Sequence, residues 1–149
     1  MNRIGLPILA VALLHGAIAC VGALAGCAEN PRAAQRANTQ EALIAGLAAF
    51  DTNDFERASQ LLDVAISSGT LQPDALAQAS TKRAISLAYH LQFVEAHAVL
   101  DRVASGAPDQ SEVHAARAFI FRRQGDTTAA DRQFAEARRQ NPRIKPFDK

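Results

Sequence analysis

Residues 118–142 read Ala118-Phe119-Ile120-Phe121-Arg122-Arg123-Gln124-Gly125-Asp126-Thr127-Thr128-Ala129-Ala130-Asp131-Arg132-Gln133-Phe134-Ala135-Glu136-Ala137-Arg138-Arg139-Gln140-Asn141-Pro142. Gly125-Asp126 is a turn residue followed by a helix N-cap, and Pro142 stops a helix that reaches it from the N-terminal side. Small residues at Ala118, Ala130 and Ala137 let two helices approach closely, while Phe121 and Phe134 fill the space between them. The stretch predicts a helical hairpin.

The same pattern recurs upstream. Ala84 and Ala118 lie 34 residues apart, as do Leu87 and Phe121, Ala96 and Ala130, Leu100 and Phe134, Val103 and Ala137, and Pro108 and Pro142. A third copy holds Gly46, Ala49, Asn53-Asp54-Phe55, Ala58, Leu62 and Ala65, offset by 38 because four extra residues fall near Ser68 to Asp74. Fixed periods of this length mark an array of supersecondary units that bury their apolar faces against one another. This 34-residue pattern resembles the tetratricopeptide repeat.

The resemblance implies an all-α fold: three tetratricopeptide-like helical hairpins stacked as a short right-handed α-solenoid. The repeats run over about 39–72, 77–110 and 111–144, within a domain spanning 39–144 and followed by a tail at 145–149. The six helices are expected at roughly 39–51, 54–68, 73–91, 93–105, 110–124 and 127–140. Asp109, followed by Glu112, resembles a capping box for the fifth helix. Where the family carries large residues early in its first helices, this chain has Ala42 and Ala45, Ser80 and Arg83, and His114 and Arg117.

Composition agrees with helices. The chain is 48% hydrophobic with seven Phe, one Tyr and no Trp, and alanine, the best helix former, supplies much of that total. Both cysteines, Cys20 and Cys27, precede the repeats, which excludes a disulfide framework or a thiolate metal site in the remainder.

The N-terminus has a different character. Arg3 is the only charge before Glu29, and Ile4 to Ala25 is almost wholly apolar, the organisation of a secretory signal. The stretch is also long enough for an uncleaved anchor, although Gly5, Pro7, Gly16, Gly22 and Gly26 weaken it as a permanent helix. Leu24-Ala25-Gly26-Cys27 resembles the lipobox of bacterial lipoproteins. That resemblance implies a signal peptide over 1–26, cleavage between Gly26 and Cys27, and diacylglyceryl on the Cys27 sulfur. Cys20 is a rival, but Ala17 stands where Leu is preferred and apolar sequence continues beyond it. In lipoproteins of diderm bacteria an Asp after the Cys favours inner-membrane retention; Ala28 here points to the outer membrane, on its periplasmic face. Residues 27–38 read as a lipidated N-terminus and tether, with Asn30-Pro31 as a turn or extended piece. The ten residues from Ala28 to Ala37 reach about 35 Å at most.

The concave face of such an array is built mainly by the first helix of each repeat. Carried onto this chain, the partner-binding candidates are Leu43, Leu47, Phe50, Ile85, Tyr89, Phe119, Arg122 and Arg123. An apolar groove edged by two Arg suits an amphipathic or extended segment of another protein. In an array of three repeats the large apolar members serve equally well as core. Leu43 and Leu47 occupy positions where carboxylate-clamping relatives use Lys and Asn, so no such clamp is expected.

From Ala28 to Val113 the chain carries six basic and eleven acidic residues, and from His114 to Lys149 nine basic and four acidic. Arg122, Arg123, Arg138, Arg139, Arg143, Lys145 and Lys149 face either solvent, with pairs such as Arg132–Glu136, or an acidic partner or anionic head groups. His90, His97 and His114 lack metal-ligand spacing, and no phosphate loop or nucleophile motif appears, so no enzyme is expected and no cofactor beyond the lipid. Export argues against nucleic acid. The expected function is a membrane-anchored scaffold that binds an envelope protein, as small lipoproteins of secretion, pilus or outer-membrane assembly systems do. The alternative is a structural envelope component that self-associates.

Overall fold

The computed structural model describes residues 30–147, so the signal segment, Gly26, Cys27, Ala28, Asp148 and Lys149 lie outside the described residues. Six helices follow one another: α1 Pro31–Asp51, α2 Phe55–Ser67, α3 Pro73–Tyr89, α4 Phe93–Ala104, α5 Gln110–Gln124 and α6 Thr127–Gln140. Strands are absent among the described residues. Five of the six helices fall within two residues of the sequence expectation. The exception is α1, which begins at Pro31, eight residues before the expected 39.

Asn30-Pro31 is therefore a helix start and not an extended piece of tether. Proline suits the first helical position because its missing N–H would be unpaired there anyway, and its fixed φ is already helical. The Asn30 side chain completes the cap by accepting from the Arg32 N–H at 3.1 Å. Residues 31–38 advance about 12 Å as helix, where extended chain would reach more than twice as far.

Short turns join α1 to α2, α3 to α4 and α5 to α6, and the members of each pair pack together. Between pairs, α3 packs on α1, α2 and α5, and α4 packs on α5, whereas α6 packs on α5 alone. The central helix is consequently the most enclosed. Nine of its residues are buried, including the polar Ser80, Thr81, Arg83 and Ser86, whereas α6 buries only Ala130 and Ala137.

Close approach within each pair depends on small residues at matched positions. A Cβ on Gly46 would stand 2.9 Å from the Leu62 side chain, so α1 and α2 touch through a residue with no side chain. Ala84 and Ala118 hold the corresponding places in α3 and α5, and both are buried. On the second helices, Ala58, Ala96 and Ala130 have no exposed surface. Leu62 and Leu100 are likewise fully enclosed.

The three turns share one backbone course. The sixth residue closes back on the first in each: Asp54 N–H to Ala49 O at 2.9 Å, Gln92 N–H to Leu87 O at 3.0 Å, and Asp126 N–H to Phe121 O at 3.0 Å. One residue per turn has positive φ: Asn53 at 62°, Leu91 at 61° and Gly125 at 87°. Those three are spaced by 38 and 34 residues, the same intervals found in the sequence.

The tail is not free of the body. Phe147 is half-buried and packs against the main core.

Candidate functional site

The eight candidate partner-binding residues divide into three groups. Leu43, Phe50, Ile85 and Phe119 are buried, so the open apolar groove expected from the sequence is filled by its own side chains. Leu47 and Tyr89 are half-buried and pack on the same core. Arg122 and Arg123 are exposed at the C-terminal end of α5. The buried apolar members belong to the main core cluster together with Leu62, Leu87, Leu100 and Ile120.

What the structure builds at that end is a ladder of rings under cations. Phe50 meets Phe55 edge-on with centroids 5.6 Å apart, Phe55 stacks on Tyr89 at 3.8 Å, and Tyr89 tilts against Phe119 at 5.5 Å. The Arg123 guanidinium lies 4.4 Å above the Tyr89 ring, and its Nε donates to the Ala88 carbonyl at 3.2 Å. Lys82 sits 4.2 Å above Phe50 and pairs with Asp51 at 3.5 Å. A cation over a ring contributes about 0.5–1 kcal/mol at an exposed site.

Tyr89 is the electrostatically perturbed member of this ladder. Burial pushes its hydroxyl above the usual pKa, and the Arg123 cation pulls it partly back. Its buried oxygen has no hydrogen-bond partner among the described residues. Arg122 and Arg123 are both exposed as residues, and each guanidinium is a donor of the kind that carboxylates accept.

Two arginines that departed from the repeat pattern have a role the sequence did not disclose. The Arg83 guanidinium, in α3, reaches Asp63 in α2 at 3.2 Å and Glu95 in α4 at 2.8 Å. Arg117, in α5, pairs with Asp101 in α4. Arg83 and Arg117 are 34 apart and Asp63 and Asp101 are 38 apart, so residues at the intervals found in the sequence make the same link to the preceding helix pair. The equivalent position of the first pair is Ala45, with no preceding pair among the described residues, and that of the last acceptor is Ala135. The signal was present in those intervals, but a charge at an apolar position reads as degeneracy until its partner is seen.

Other expectations resolve plainly. Asp109 caps α5, accepting from the Ser111 N–H at 2.8 Å. Glu136 pairs with Arg139 and accepts from Gln140, and the expected Arg132–Glu136 pair does not form. One turn further along the helix, Arg139 and Gln140 have taken both carboxylate oxygens. His97 and His114 face Gln124 and Gln133 at 3.3 and 2.9 Å. Among the described residues no group of His, Cys, Asp and Glu is arranged to hold a metal ion, and no helix is long and apolar enough to cross a membrane.

No family model matches the chain, and no curated protein or solved structure matches it either.

Proposed function

We propose that this chain is a lipid-anchored scaffold of tetratricopeptide type, which holds a partner protein of the bacterial envelope near the outer membrane. The supporting observation is that residues at intervals of 38 and 34 perform the same task in successive helix pairs, the turn residues in all three and the linking arginines in the last two. They include the positive-φ turn residues Asn53, Leu91 and Gly125 and the linking arginines Arg83 and Arg117. Such equivalence is what a stacked repeat array requires. In this reading Cys27 carries the lipid, residues 1–26 are removed, and the rim of Arg122 and Arg123 over the ring ladder contacts the partner. A secretion, pilus or outer-membrane assembly complex is the setting such a scaffold suits.

Affinity capture of the acylated full-length chain from membranes tests the rim. The variant Arg122→Glu with Arg123→Glu is expected to lose the partner, and Arg122→Glu alone, which spares the Arg123 contacts to Tyr89, Phe119 and Ala88, separates lost recognition from a disturbed core. Unchanged recovery sinks the assignment of these arginines. Cys27→Ser is expected to abolish lipid labelling; labelling that persists moves the anchor to Cys20.

Self-association is the second reading. It rests on Ile44 and Val64, both 59% exposed on the first helix pair. Against it, the two ends of the array lack matching halves of the arginine–aspartate link, because Ala45 and Ala135 stand there. Sedimentation of the detergent-solubilised chain separates the two: a monomer across the concentration range removes self-association.

A further inference from the structure

A cleft of about 560 Å³ lies between the first turns of α3 and α5, at the opposite end of these helices from the ring ladder. Its polar lining is Asp74, Gln78, Thr81, Asp109 and Glu112, with Pro108 beside them, and no basic residue takes part. Asp74 and Glu112 have no ion-pair partner among the described residues. Asp109 has one carboxylate oxygen occupied by Ser111.

Carboxylates in a first helical turn complement the helix dipole, which is reason enough for Asp74 and Glu112 to exist. It does not account for Thr81. That residue is only 2% exposed, and its hydroxyl has no hydrogen-bond partner. An unpaired buried polar group costs about 1–3 kcal/mol, so a ligand that donates a hydrogen bond there recovers energy the free protein forfeits. Three carboxylates and a waiting acceptor call for a cation with N–H donors. The acids are not grouped to hold a metal ion, which favours a cation that arrives on a flexible stem and brings several donors.

We propose that this cleft binds a basic side chain, lysine or arginine, presented by the partner polypeptide. The assignment rests on the scaffold reading and adds the chemistry of one partner residue to it. The ammonium or guanidinium lies among Asp74, Asp109 and Glu112 and donates to the Thr81 Oγ, while its methylene stem covers Ala75 and Ala77.

The test is a backbone-amide NMR titration of the full-length chain in neutral detergent with the blocked peptides Gly-Lys-Gly, Gly-Arg-Gly and Gly-Glu-Gly. Saturable shifts at Gln78, Thr81 and Glu112 are expected with the two basic peptides and none with the acidic one. Asp74→Asn with Glu112→Gln should weaken binding about tenfold, since charge-assisted hydrogen bonds are the strong ones. Thr81→Val should weaken binding to a smaller extent while raising thermal stability, because it removes the unpaired hydroxyl. Shifts that stay linear in peptide, that appear equally with Gly-Glu-Gly, or that survive the double variant overturn the proposal. The scaffold reading is judged separately by partner capture with the Arg122 and Arg123 variants. A negative titration with intact capture rejects the cleft alone.

Discussion

The turn between α3 and α4 and the turn between α5 and α6 follow the same backbone course with very different residues. At the second, Gly125 takes φ 87° without steric cost, and Asp126 caps α6 by accepting from the Ala129 N–H at 2.8 Å. At the first, Leu91 is forced to φ 61° with its side chain 66% exposed, and Gln92 provides no side-chain cap. A leucine in the left-handed region costs about 1–2 kcal/mol. The difference follows tertiary support. Helix α3 is enclosed by α1, α2, α4 and α5, so packing fixes the turn whatever its residues prefer. Helix α6 touches α5 alone and buries two alanines, and its position depends on a turn that is favourable by itself.

This contrast can be broken most directly at Gly125. Gly125→Val places a β-branched residue in the left-handed region and should cost about 2 kcal/mol. Because α6 has one neighbour, the loss should appear as local opening, read as faster amide exchange confined to α6. Leu91→Gly is expected to do the opposite, raising global stability by about 1 kcal/mol in denaturant unfolding; a lower midpoint would mean that the leucine side chain contributes something its exposure hides. Asp126→Ala should cost about 1 kcal/mol through the lost cap, and Gln92→Asp should add about half that. The smallest effect concerns the residues two places before Leu91 and Gly125, which are Tyr89 and Arg123. Replacing Arg123 with Ala removes the cation that lowers the Tyr89 pKa, so the hydroxyl should titrate still higher. Tyr89 is the only tyrosine and the chain has no Trp, so its absorbance titration is unobstructed. Since burial favours the protonated phenol, any contribution of Tyr89 to stability is present below its unfolded pKa and lost as pH rises through the folded one.

The same contrast explains what could be read in the sequence. Residues 118–142, the clearest stretch, form the helix pair with the least tertiary support, where Gly125, Asp126 and Pro142 must specify structure locally. The turn at Leu91-Gln92 carried no such signal, because helix packing imposes it. The start of α1 is legible in two ways: Asn30-Pro31 reads as a turn, yet a capping Asn followed by Pro is also how a helix begins. At the candidate site, the large apolar residues of the first helices gave their periodicity but not their exposure. Whether Leu43 or Ile85 faces a partner or a neighbouring helix depends on how tightly the pairs close, which spacing alone does not encode. Thr81 and Arg83 were hidden for a related reason, since an unpaired hydroxyl and an inter-helix ion pair exist only in three dimensions.

The arginine–aspartate links have a consequence for how the helix pairs can be rebuilt. The middle pair alone carries both the donor Arg83 and the acceptor Asp101; the first has only Asp63 and the last only Arg117. In the language of construction, it is the only unit with both a plug and a socket. A tandem copy of the middle unit inserted after Asp109 would find its connections already made and should lengthen the molecule as a working fold. A copy of the last unit appended at its own end would meet Ala135, and should first need Ala135→Asp to be accepted.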